Sequence, residues 1–102
     1  MGLSIELLDE SGGVQETVDD VSNLLRRLLP ANDDQSSPML ASIDPYGDTV
    51  FNRIQMKRFL AEWRGLWGEA QSSEERAVVT AIEAMAQRCA EGVHLYVKFI
   101  GD

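Results

Sequence analysis

Leu3, Ile5 and Leu7 alternate with Ser4 and Glu6 until Ser11-Gly12-Gly13 interrupts the pattern. A two-residue period of this kind belongs to a strand with one buried face, so a strand is expected over 3–9. From Val14 the period becomes helical, with Val14, Val18, Val21, Leu24, Leu25, Leu28 and Leu29 on one broad face and Glu16, Asp19, Asn23 and Arg26 opposite. This predicts a helix over 14–29, closed by Pro30, with acids in its first half and Arg26-Arg27 in its last turn to complement the dipole. Residues 30–38 are polar and bounded by Pro at both ends, the composition of an exposed, mobile loop.

Met39, Ala41 and Ile43 alternate with Leu40 and Ser42, which suggests a short strand over 39–43. Asp44-Pro45-Tyr46-Gly47 matches the type I turn preferences at its first, second and fourth positions, so 49–51 is expected to pair back as the second arm of a hairpin. Asn52 and Gln55 have the spacing of a capping box ahead of Met56, Phe59, Leu60, Trp63, Leu66 and Trp67, predicting a helix over 53–66. Ser72 and Glu75 repeat that signal for a helix over 73–91, whose stripe is Val78, Ala81, Ile82, Met85 and Cys89. Gly92 is placed to end it. Val93, Leu95, Val97 and Phe99 then alternate with His94, Tyr96 and Lys98 as a last strand over 93–100.

These elements form a single α+β domain over 1–102. Amphipathic helices need an apolar surface to cover, so the three are expected on one face of a small, mainly antiparallel sheet, with the first and last strands as central neighbours. A chain of 102 residues with 44% hydrophobic and 25% charged residues suffices for one core.

Charge narrows the functions available. The net charge of -8 works against nucleic acid and anionic lipid, because Lys and Arg supply the favourable term in both cases. Residues 1–34 hold eight acids and two bases, so the acidity is concentrated in the first third. Such a surface keeps a protein in solution, and it also steers a basic partner. One Cys forms no internal disulfide, and neither a membrane-spanning run nor a signal-peptide layout is visible, so the expected location is cytoplasmic.

Candidate chemistry is sparse. His94 is the single imidazole and would share a strand face with Tyr96 and Lys98, opposite the helices and beside Ser4 and Glu6. A surface histidine is the plainer reading, since catalysis needs a nucleophile or metal and an orienting group nearby. Asp44 to Thr49 lacks the spacing of a calcium loop. Its acids suit a turn, and Tyr46 suits a partner contact. Cys89 and both tryptophans lie on apolar stripes and read as core. No catalytic residue, metal site or cofactor is expected.

The stretches Asp44-Pro45-Tyr46-Gly47-Asp48-Thr49-Val50-Phe51-Asn52 and Cys89 to Asp102 resemble segments of uncharacterised small bacterial proteins. In size, acidity and strand–helix layout the chain is also broadly similar to bacterial toxin immunity proteins, a resemblance that implies binding to a toxin and assigns no contact residues.

The expectation from sequence is a non-enzymatic, cytosolic protein-binding domain, immunity-like, for a basic partner. Glu6, Asp9, Glu10, Asp19 and Asp20 would supply the attraction, and Tyr46, His94 and Tyr96 the contacts. The alternative is a small-ligand-binding or enzymatic domain using His94 and Tyr96. The chain itself would be a monomer or a homodimer, without nucleic acid or membrane.

Overall fold

The computed structural model describes residues 2–101. Four strands, β1 (Ser4–Leu8), β2 (Val14–Asp19), β3 (Asp48–Asn52) and β4 (Tyr96–Ile100), make one antiparallel sheet in the order β2-β1-β4-β3. As expected, the first and last strands are its central pair. Helices α1 (Leu25–Leu28), α2 (Pro38–Ala41), α3 (Met56–Arg64) and α4 (Ser73–Glu91) complete the α+β fold, with 3₁₀ turns at Arg53–Gln55 and Gly65–Gly68.

The core lies between one sheet face and the helices. Ile5, Leu7, Phe51, Val97 and Phe99 are buried against Met56, Phe59, Leu60 and Trp63 of α3 and Val79, Ile82, Met85, Ala86 and Cys89 of α4. Phe59 stacks on Trp63 with ring centroids 5.3 Å apart, and Phe99 meets Phe51 edge-on at 5.9 Å. The Trp63 Nε1–H donates to the Val79 carbonyl at 3.0 Å, so the ring's polar edge ties α3 to α4. Trp67, assigned to the core by the sequence stripe, is instead 43% exposed because its turn has left the helix, and it donates to Glu83 at 3.1 Å.

Both helix starts follow their caps. The Asn52 side chain accepts from the Gln55 amide while Gln55 reciprocates, and Ser72 accepts from the Glu75 amide. Glu75 is buried and held by the Arg27 guanidinium through bonds of 2.6 and 2.8 Å. This pair fastens α1 to the first turn of α4.

The helix expected over 14–29 is not formed. Residues 14–19 are the edge strand β2, and only Leu25–Leu28 is helical. Gly12, at φ +87°, and Gly13 close a tight turn in which Asp9 accepts from the Ser11 and Gly13 amides. The chain therefore reverses beside β1. Val14 and Val21, placed on the apolar stripe by helical spacing, are 51% and 85% exposed.

The strand expected over 39–43 is also replaced, by α2 with Pro38 in its first turn. Glu62 of α3 accepts from the Met39 and Leu40 amides at 3.3 and 3.0 Å, satisfying donors that a helix start leaves open. Without that strand, 48–52 pairs with β4 instead of forming a local hairpin. The Asp44 to Gly47 turn does form: the Asp44 carboxylate accepts from the Tyr46 amide at 2.9 Å. Gly101 abuts this turn so closely that a Cβ there would lie 2.6 Å from the Pro45 carbonyl carbon.

Candidate functional site

The strand registers place Ser4, Glu6 and Leu8 of β1 beside Ile100, Lys98 and Tyr96 of β4. They add Asp19, Thr17 and Val14 from β2 and Asp48, Val50 and Asn52 from β3. Residues opposite one another across antiparallel strands share a face. Alternate residues Ile5, Leu7, Phe51, Val97 and Phe99 enter the core, so these twelve form the other face of the sheet. None of the twelve is buried, and no helix packs over them. A four-stranded surface is thus left open across its full width.

This surface mixes apolar and charged groups. Leu8, Tyr96 and Ile100 are half-buried along the middle, while Val14 and Val50 flank them, each 51% exposed. Three carboxylates, Glu6, Asp19 and Asp48, share it with one ammonium, Lys98. Lys98 lies 3.6 Å from Asp48, and Asp19 accepts from the Ser4 hydroxyl at 2.7 Å. The balance on the face is therefore negative.

Sequence-predicted contact residues fall in five places. Glu6 and Tyr96 share the open face, as alternation required, and Asp19 joins them because β2 replaces the expected helix. Asp9 and Glu10 lie in the β1–β2 turn, where Ser11 above all, and the Gly13 amide after it, hold the Asp9 carboxyl below the usual carboxylate range. His94 is not on the strand. It sits ahead of β4 in a left-handed conformation, φ 59°, so the strand's alternation starts only at Tyr96. Its Nδ1 lies 3.5 Å from Glu10, joining the turn to the start of β4.

Asp20 moves from the surface to the interior. It is 1% exposed, and its carboxylate accepts from the Leu24 amide at 2.9 Å and the Leu25 amide at 2.7 Å. Asp20 therefore orders the start of α1 and is not available as a contact residue. Tyr46 is 73% exposed at the far end of the sheet from His94, beyond Ile100, and lines a separate pocket with Leu3. Thr17, Asp48, Val50 and Asn52 were missed as face residues because β2 was read as helix and the partner of β3 was read as 39–43.

Among the described residues no group of three or more His, Cys, Asp or Glu side chains is placed to hold a metal ion. Nor is any helix long and apolar enough to cross a membrane. Cys89 is buried, its thiol pushed up to about 11 by desolvation, with Sγ 3.3 Å from the Leu95 carbonyl. Comparison with protein-family models, curated proteins and solved structures gives no match for this chain.

Proposed function

We propose that the chain is a non-enzymatic, cytoplasmic protein-binding domain that receives a basic partner on its open sheet face, in the manner of an immunity protein. The observation that carries this reading is the uncovered four-stranded face, where aliphatic and tyrosine side chains lie among a surplus of carboxylates. An apolar centre with a charged margin is the composition of a binding surface, and like-signed charge raises the association rate of an oppositely charged partner.

Charge pairing elsewhere strengthens the argument. Arg27, Arg58, Arg64, Arg88 and Lys98 each lie in an ion pair with an acid of the chain itself. Seventeen acids against nine bases leave carboxylates without an internal partner. Glu6 is one among the described residues and stands near the centre of the face. Tyr96 supplies a large contact group that loses little rotamer freedom on binding.

The test is a pull-down from the native host at low and at high salt, comparing the wild type with a Glu6→Gln, Asp19→Asn, Asp48→Asn variant. The expected result is a stoichiometric basic protein retained by the wild type at low salt and released by either salt or the triple neutralisation. Capture unchanged by the three substitutions, or no stoichiometric partner for the folded protein, overturns the proposal.

A further inference from the structure

A pocket of about 190 Å³ opens at the end of the sheet where β1 begins, on the helix-covered side. Its floor is made by the buried Leu3 and Ile43, its walls by Leu29 and Pro45, and its rim by Tyr46 and Arg26. The rest of its lining among the described residues adds two asparagines and a proline, and no carboxylate. In a chain with 17 acids and nine bases, a concave, partly apolar site that holds one guanidinium and no acid among the described residues is an electrostatic exception.

Arg26 is also unspent. Its neighbour Arg27 is committed to Glu75 and to the Glu69 carbonyl, whereas Arg26 makes no hydrogen bond or ion pair among the described residues. Asn32 donates its side-chain N–H groups to the Ala41 and Ile43 carbonyls at 2.7 and 3.0 Å, which fixes the pocket wall. The site is thus a shaped pocket, part apolar and part polar, with a cation at its mouth that no described residue pairs, the combination that orients a small amphiphilic anion.

Size sets the class. By volume alone, about 190 Å³ exceeds the roughly 150 Å³ that holds benzene and accommodates one aromatic ring with a short substituent. We propose that this pocket binds a small single-ring aromatic carboxylate, its ring between Leu3, Ile43 and Tyr46 and its carboxylate on Arg26. This site is separate from the open sheet face and does not depend on it.

The test is a ¹H–¹⁵N NMR titration of the full chain with phenylacetate, with neutral phenylacetamide as its control. Saturable shifts are expected at Leu3, Arg26, Leu29, Ile43 and Tyr46, with the amide binding more weakly. Arg26→Gln should weaken phenylacetate about tenfold, as loss of a charge-assisted bond does, and remove the preference for the acid. Arg26 is exposed, so the variant should keep the wild-type spectrum away from the pocket. No saturable shifts up to the solubility limit, shifts centred elsewhere, or equal affinity of acid and amide for the wild type would each overturn the proposal. The last outcome would mark the pocket as an apolar anchor site without charge selection.

Discussion

Replacing Asp20 by Ala separates a structural carboxylate from a surface one. The side chain is 1% exposed and receives the Leu24 and Leu25 amides at 2.9 and 2.7 Å, at the start of a helix that buries Leu25 and Leu28. Losing the acceptor for a helix's first amides costs about 0.5–2 kcal/mol where that acceptor is an N-cap, and leaving a buried amide without an acceptor costs about 1–3 kcal/mol more. The two bonds share one carboxylate and do not add fully, so Asp20→Ala should destabilise the domain by about 2–4 kcal/mol. For a chain of this size that corresponds to a fall in Tm of roughly 10–25 °C. Asp20→Asn keeps one acceptor oxygen and should fall between alanine and wild type. Urea unfolding followed by the fluorescence of the buried Trp63 measures each value, with Asp19→Ala as the exposed control. An Asp20→Ala variant within about 0.5 kcal/mol of wild type, the ordinary effect of a surface substitution, would refute the assignment.

Other expectations test different parts of the molecule. Arg27, first through its hydrogen bonds, and the Gln71 amide lower the Glu75 carboxyl from 4.5 to about 2. A depressed pKa stabilises the fold above the unfolded value, so this contribution is complete above about pH 4.5 and fades as the pH falls toward about 2. The urea midpoint of Glu75→Gln should therefore be lower than that of wild type near neutrality and converge on it in acid. Parallel midpoints across that range would contradict the pairing. The Cys89 thiol, raised to about 11 and buried, should react with a thiol reagent at mildly alkaline pH only after denaturant is added. Phe99→Ala removes a fully buried ring that contacts Phe51, Phe59 and Trp63, and should cost about 3–5 kcal/mol by urea unfolding.

Legibility of the fold in the sequence followed the range of the forces involved. The strands β1 and β4 alternate cleanly because both are central and bury one whole side. The helices α3 and α4 announce themselves through paired caps at Asn52/Gln55 and Ser72/Glu75 and through long apolar stripes. The edge strand β2 carries neither signal. A bulge opposite Leu7 and Leu8 puts Val14 on the open face and Val18 on the core side, so its two valines never show a two-residue period. Their spacing of four suits a helix, and Leu25 and Leu28 extend that false stripe into residues that really are helical.

Segment 38–41 was missed for a longer-range reason. The Glu62 carboxylate that accepts its first amides lies more than twenty residues away, and only Pro38 hinted at a helix start. Among the predicted contacts, Glu6 and Tyr96 were recoverable because strand parity alone fixes their side of the sheet, whereas Asp19, expected on a helix, reaches that face only through β2. Asp19 and Asp20 are adjacent and chemically alike, and only the turn into α1 decides which of them is buried. His94 was misplaced because its local backbone conformation, φ 59°, is not extended, and β4 begins only two residues later, at Tyr96.

The claim that the open sheet face is the binding surface is tested most directly by photo-crosslinking in the native host. A reactive residue is placed at Thr17 or Val50 on that face, or at Thr80 or Ala84 on the exposed side of α4. The account predicts one discrete adduct with a basic protein from Thr17 and Val50, suppressed by high salt, and none from α4. Adducts confined to the α4 positions, or equal from both sides, would contradict it.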